Sequence, residues 1–330
     1  MAKQETYSIG AQMIQMAQAM GLDHTRIMRR AGLAPDHFLS EDGGVTAEQF
    51  FALWQATEDE ASGPGLALQI AKTAACGPMI PAIYGFASSP DIKTGFDRLA
   101  VFKPLVVPIT MTAERDERGL TLRWAPPPDI RAPALFSLFE LVYFVEICRS
   151  FTGHAIVPLA LGGPLNPSIP PEVIEFFGVT PHLAPVPEMR LSHEDADRRM
   201  IFANEEQYRV IEADLRQQMH DRNKRLAVSI RVRRALVDIL PAGEATIDAV
   251  CDRLAMSRRS LQRKLKEEGE SFQSVLESTR AELSMHYLKR DDMSVHEISY
   301  LLAYRDPNSF YRAFQGWTGM TPGEARASLS

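Results

Sequence analysis

Two stretches of this chain share one plan, and that plan constrains the fold more than any bulk property. Residues 246–268 read TIDAVCDRLAMSRRSLQRKLKEE. Thr246 is placed to cap a helix whose apolar face is Ile247, Val250, Cys251 and Leu254. The turn Ala255-Met256-Ser257 ends in a serine able to cap the next helix, which buries Leu261 and Leu265, four apart. Its other face carries Arg258, Arg259, Gln262, Arg263 and Lys266. The plan recurs about 48 residues later in SVHEISYLLAYRDPNSFYRAFQGW, residues 294–317. Ser294 is the cap, and Val295, Ile298 and Leu302 form the apolar face. A turn near Ala303 to Asp306 leads to a helix starting at Pro307. Phe310 and Phe314 point inward there, and Asn308, Ser309, Tyr311, Arg312 and Gln315 point outward. Residues 271–289 lie between as one long helix.

Two short helices joined by a tight turn predict the helix-turn-helix geometry, whose second helix enters the major groove. Two units on one rigid module would read consecutive grooves about 34 Å apart, one turn of DNA. Between Arg253 and Lys266 there are six basic residues and no acidic one. A solvated face would normally mix its charges, whereas Arg and Gln can make bidentate contacts with guanine and adenine edges.

The whole-chain charge points the other way. With 36 Lys+Arg against 42 Asp+Glu the net charge is −6, a poor match for phosphate. The sum conceals a division. Residues 1–221 carry 18 basic and 28 acidic groups, net −10, and residues 222–330 carry 18 and 14, net +4. The expected boundary is therefore near 221–226, giving an N-terminal domain over 1–221 and a basic domain over 222–330.

The first domain reads as α+β. Helices are expected over 8–20, 23–31 (capped by Asp23), from the Thr46/Gln49 capping box, 91–102, 133–150, 171–177 and 204–220. Residues 105–112 and 120–124 read as a hairpin about the turn ERDERG, 156–161 as a strand, and the Pro- and Gly-rich stretch 162–190 as loops with an edge strand. The greasiest run, 133–148, contains Glu140 and Glu146 and is short for a membrane span. From Ser229 onward only helices are expected, over 229–240, 246–254, 258–267, 271–289, 294–302 and 307–317.

Catalytic patterns are missing: no Gly-rich phosphate loop, no paired His at helical spacing, no GxSxG elbow. Cys76, Cys148 and Cys251 are widely spaced and odd in number, which reads as buried thiols of a reducing cytoplasm rather than a disulfide or metal framework. Neither a signal peptide nor a metal or organic cofactor is expected. An alkyl-transferring enzyme fused to a regulator would need an activated thiolate, for which Cys76 and Cys148 offer no local context.

Region 229–329 resembles the DNA-binding domain of the AraC/XylS family of bacterial transcription regulators. The residues carrying the likeness are Ile247, Ala249, Leu254, Ser257, Leu261, Arg263 and Gly269, the segment Arg280 to Leu288, Phe310-Tyr311-Arg312-Ala313-Phe314 and Gly319-Met320-Thr321-Pro322. The resemblance implies base readers on the outward faces of the domain's third and sixth helices: Arg259, Gln262 and Arg263, then Asn308 and Arg312. Ser257, Arg258, Lys266 and Ser309 complete the expected DNA-binding set. The family usually has Gly-Phe in the second turn, where this chain has Ala303-Tyr304, and alanine adopts a left-handed backbone only at a cost. With Pro307 also removing a donor, the second unit is expected to contribute phosphate contacts more than base reading. The first two thirds is similar to the arabinose-binding-type effector domain of ornithine, arginine and virulence regulators. That likeness runs from Gly65-Leu66-Ala67-Leu68 through Tyr84-Gly85-Phe86-Ala87-Ser88-Ser89-Pro90 to Phe96 and Leu99, and more weakly to Phe177-Gly178 and Leu191.

The expected function is a cytoplasmic transcription regulator, activator or repressor. It binds double-stranded promoter DNA and responds to a small molecule such as a fatty acid, an amino acid or another anionic metabolite. RNA polymerase and a second copy of the chain are expected partners, and a membrane is not. The alternative is a DNA-binding regulator whose N-terminal domain only dimerises. Cations available to an anionic effector are Arg26, Lys72, Lys93, Arg98, Lys103 and Arg123, with Arg26, Arg29 and Arg30 grouped on one helix. The expected effector residues are Arg26, Arg30 and Lys103.

Overall fold

The computed structural model describes residues 5–39, 43–60, 65–77, 79–166, 168–290 and 292–329. The chain forms two compact units, residues 5–221 and 222–329.

The first unit opens with helices α1 (Gly10–Ala19), α2 (His24–Arg30), α3 (Ala47–Glu60), α4 (Leu66–Cys76), α5 (Pro81–Ala87) and α6 (Ile92–Val106). Asp23 and Asp91 cap α2 and α6 by accepting from the N–H groups of Arg26 and Thr94. The Thr46/Gln49 pair forms the reciprocal bonds expected of a capping box, at 3.3 and 2.9 Å. Residues 105 and 106, expected to open a strand, are instead the last turn of α6, which runs through Pro104. Strands β1 (Thr110–Asp116) and β2 (Gly119–Ala125) follow and pair antiparallel, so the hairpin exists but turns at Glu117-Arg118. Gly119 is required there: its φ is +140°, and a Cβ would stand 2.1 Å from the Leu191 carbonyl oxygen.

Helix α7 (Ala134–Thr152) is mostly apolar and buries Phe136, Leu141, Val142, Phe144 and Ile147, as a central helix must. Trp124 of β2 stacks on Phe144 with centroids 5.2 Å apart. After it come β3 (Ala160–Gly163), α8 (Pro171–Phe177), β4 (His182–Leu183), β5 (Glu188–Leu191), α9 (His193–Ala196) and α10 (Glu205–Arg225). The five strands lie in the order β1-β2-β5-β3-β4, with β3 and β4 parallel and the rest antiparallel. Of the expected strand 156–161 only its end belongs to β3, because the sheet partner β5 pairs with Ala160–Gly162. Among the described residues no single helix is long and apolar enough to cross a membrane.

The second unit is helical: α11 (Val228–Ile239), α12 (Ile247–Leu254), α13 (Arg258–Glu267), α14 (Phe272–Leu288), α15 (Val295–Leu301), α16 (Pro307–Thr318) and α17 (Pro322–Leu329). It has two cores. Val232, Leu236, Val250, Leu261, Leu265, Val275 and Leu276 form one; Leu288, Ile298, Leu302, Phe310, Phe314 and Ala325 form the other. Helix α14 belongs to both, and its Leu283 packs against each. One rod therefore joins the two helix-turn-helix cores of this unit. Helix α17, absent from the expected set, closes the second core with Ala325, and Arg326 donates to the carbonyls of Leu288 and Met293.

Candidate DNA interface and effector cavity

Thr246 and Ser294 cap the first helices of the two units by accepting from the N–H groups of Ala249 and Glu297. Both helices then end in the same turn. Ala255 and Met256 donate to the carbonyls of Asp252 and Cys251, and Ala303 and Tyr304 donate to those of Tyr300 and Ser299. This Schellman pattern requires a left-handed residue at its corner. Ala255 has φ 49° and Ala303 φ 57°, and among the described residues they are the two non-glycines with positive φ. The second turn is one residue longer before its cap. Arg280 of α14 holds it, donating to the carbonyls of Leu302 at 2.9 Å and Ala303 at 3.1 Å and lying 4.3 Å from the Tyr304 ring centroid.

Helix α13 starts at Ser257, whose hydroxyl accepts from Ser260 N–H at 3.2 Å. Leu261 and Leu265 are fully buried, and rotation about the helix turns Arg258, Arg259, Gln262, Arg263 and Lys266 to solvent. The six cations of this region are less unopposed than their sequence context suggests. Arg253 pairs with Asp238 at 2.5 Å, Arg258 lies 3.9 Å from Asp248, and Arg263 donates to Glu267 at 2.6 Å. Arg259, Lys264 and Lys266 have no ion pair among the described residues. These pairs are exposed, so each is worth well under about 1 kcal/mol and a phosphate or base edge can replace the carboxylate.

Helix α16 presents Asn308, Tyr311, Arg312 and Gln315 outward over the buried Phe310 and Phe314. Its cap is Asp306, which accepts from Ser309 N–H at 2.9 Å and from Ser309 Oγ–H at 2.6 Å. These bonds hold the Asp306 carboxyl below its ordinary value. Ser309, expected to touch DNA, is half-buried and spends its hydroxyl on this cap. The cap thus places a carboxylate at the N-terminus of α16.

In the first unit, helices α1 and α3–α7 surround an apolar cavity of about 180 Å³. Its walls include Met13, Phe50, Trp54, Ile83, Phe136 and Phe139, with exposed Gln12 at the rim. Inside this wall Lys103 Nζ donates to Glu140 Oε2 at 2.6 Å, the two side chains being 9% and 4% exposed. The ammonium also lies 4.5 Å from the Phe144 ring centroid. Burial and the neighbouring Glu140 carboxylate push the Tyr143 phenol upward, so this lining residue stays neutral.

Of the six expected cations only Lys103 lines the cavity. Arg26 and Arg30 lie on α2 beside Glu60, at 3.0 and 3.9 Å, with Asp23 3.5 Å from Arg26. Two of the three arginines on that helix thus already pair with carboxylates, Glu60 from α3 and the neighbouring Asp23, and neither Arg26 nor Arg30 lines the cavity. Lys93 pairs with Asp97, Arg98 with Glu205, and Arg123 with Glu114 and Glu188, while Lys72 lies over the Phe176 ring. Glu140, read from sequence only as a charge interrupting an apolar helix, proves to be the partner of Lys103. Nothing local signals that pairing across 37 residues. Cys76 is exposed rather than buried. Burial raises the thiols of Cys148 and Cys251, the reverse of an activated thiolate.

Residues 21–200 match the family model described as the arabinose-binding domain of AraC transcription regulator, N-terminal, and residues 250–328 match a helix-turn-helix domain. The ornithine utilization regulator of Pseudomonas aeruginosa is 30% identical over 153 residues, covering 46% of this chain and 45% of that protein. The regulator VirS of Mycobacterium tuberculosis is 34% identical over 89 residues, 27% of this chain and 26% of that one. The matches therefore span less than half the length of these relatives. The crystal structure of the transcriptional regulator CdpR from Pseudomonas aeruginosa aligns over 98% of this chain and 100% of that chain, at 16% identity and a TM-score of 0.45. The model match over residues 21–200, more than half of the chain, places it in a family: the protein belongs to the AraC family of transcription regulators.

Proposed function

We propose that the protein is a sequence-specific DNA-binding transcription regulator that responds to a small molecule held in the cavity of its first unit. The observation that carries the DNA reading is the outward face of α13, where Arg258, Arg259, Gln262, Arg263 and Lys266 stand exposed over two fully buried leucines. Lys266 and Arg258 supply phosphate contacts that set register. Arg259, Gln262 and Arg263 read base edges, and Asn308 and Arg312 of α16 read a second groove. RNA polymerase and a second copy of the chain complete the proposed assembly, and the bacterial cytoplasm is its proposed setting.

The test is binding to promoter fragments as a function of salt. Arg263→Ala and Arg312→Ala should each relax preference at one position by about 1–3 kcal/mol, whereas Lys266→Ala should weaken all sequences alike and lower the salt slope by about one. Unchanged site preference in both arginine variants would remove the reader assignment.

Response to an effector requires that the ligand bind the DNA-competent and incompetent states with different affinity. The cavity and its buried ion pair support an effector-binding unit over one that only dimerises. A packed dimerisation module has no use for a charged pair in the wall of an apolar cavity.

A further inference from the structure

The cavity's chemistry differs from what an anionic effector would need. Its walls are apolar and aromatic, and the one charged pair within them is internally balanced, Lys103 against Glu140. The pair uses a single hydrogen bond, from Nζ to Oε2. Two of the three ammonium donors and Glu140 Oε1 have no hydrogen-bond partner among the described residues. A donor and an acceptor therefore stand side by side in a low-dielectric chamber. A carboxylate entering there meets Lys103 but also the Glu140 charge, and leaves a net negative site buried. An ammonium meets the opposite conflict. A neutral head that both accepts and donates satisfies the pair without adding charge.

Size suits a ring. An apolar cavity of about 150 Å³ takes up benzene, so about 180 Å³ admits one ring with a short substituent. The edge-on aromatic contacts already in the wall, Trp54 with Phe136 at 5.4 Å and Phe50 with Phe136 at 5.8 Å, suit a flat ring.

We infer that the effector is a small, uncharged, ring-bearing molecule whose polar head carries both a hydrogen-bond donor and an acceptor, seated against Lys103 and Glu140. This rests on the reading of the cavity as the effector site.

Four probes of one shape separate the possibilities: benzamide (neutral, donor and acceptor), acetophenone (neutral, acceptor only), benzoate and benzamidinium. Calorimetric titration into the full chain should rank benzamide first, acetophenone next, and both ions at least about tenfold weaker. Ala74→Phe, which fills the cavity from α4, should abolish all binding. Glu140→Gln removes the balancing charge and should invert the order, with benzoate then tighter than benzamide. A purely structural ion pair would not cause that reversal. If benzoate equals or exceeds benzamide in the unaltered protein and Ala74→Phe still abolishes binding, the ligand class is wrong and the effector site stands. If no probe binds, or if binding survives Ala74→Phe, the effector reading of this cavity fails together with the class.

Discussion

Replacing Ala255 by glycine should stabilise the second unit, and the structure sets the size of the effect. Ala255 sits at φ 49° and ψ 48°, in the left-handed region that its Schellman turn demands. An L-residue there costs about 1–2 kcal/mol, which glycine avoids. Glycine adds freedom to the unfolded chain, which returns about 0.4–1 kcal/mol of that gain. Ala255 is exposed, so little methyl burial is lost, and the net expectation is about 0.5–1 kcal/mol of added stability. Ala303 has the same backbone at φ 57°, but its methyl is half-buried against the first core. Losing roughly half of the ~0.8 kcal/mol of a buried methylene leaves Ala303→Gly at no more than a few tenths. Native-state amide exchange of α14, which belongs to both cores, reads each value separately from the first unit. About two- to fivefold slower exchange is expected for Ala255→Gly and little change for Ala303→Gly. Faster exchange in Ala255→Gly, or a larger gain from Ala303→Gly, would refute the reasoning.

Asp306 is held below its ordinary value of 3.8 by two hydrogen bonds from Ser309, so the native state binds that proton less readily than the unfolded chain. Its stabilising contribution is present at neutral pH and lost as pH falls through and below about 3.8; Asp306→Asn should therefore show a shallower fall in melting temperature between about pH 5 and pH 3. Arg280→Met strips the partners from the Leu302 and Ala303 carbonyls and should cost about 1–3 kcal/mol, seen as faster exchange in α15 and α16 with α12 unchanged. Equal acceleration in α12 would show that Arg280 does more than hold the second turn. Arg26→Ala should leave any ligand-induced thermal shift intact, because Arg26 pairs with Glu60 outside the cavity, whereas Lys103→Ala should abolish it.

The second unit was legible because its information is local. Caps at Thr246, Ser257 and Ser294, apolar spacings of three and four, and a repeat of about 48 residues each act within one helix or turn, and the boundaries of α12 to α16 follow from them. The same local reasoning placed Ala303 in a strained turn but passed over Ala255, whose turn has no family deviation to draw attention to it. It failed at the start of the hairpin, where residues 105 and 106, read as strand, complete the last turn of α6.

By itself, then, the sequence determined the two helix-turn-helix units, the basic face of α13 and the separation of an acidic unit from a basic one. Only the tertiary structure decided which charges are available. Asp238 and Asp248 answer cations that look unopposed in the chain, Glu60 pairs with Arg26 and Arg30 of α2, and Glu140 meets Lys103 inside an apolar chamber. Helix periodicity and capping act over one or two turns, so sequence carries them directly. These ion pairs and the cavity's shape depend on segments ten or more residues apart brought together by core packing, and no spacing rule along the chain encodes them.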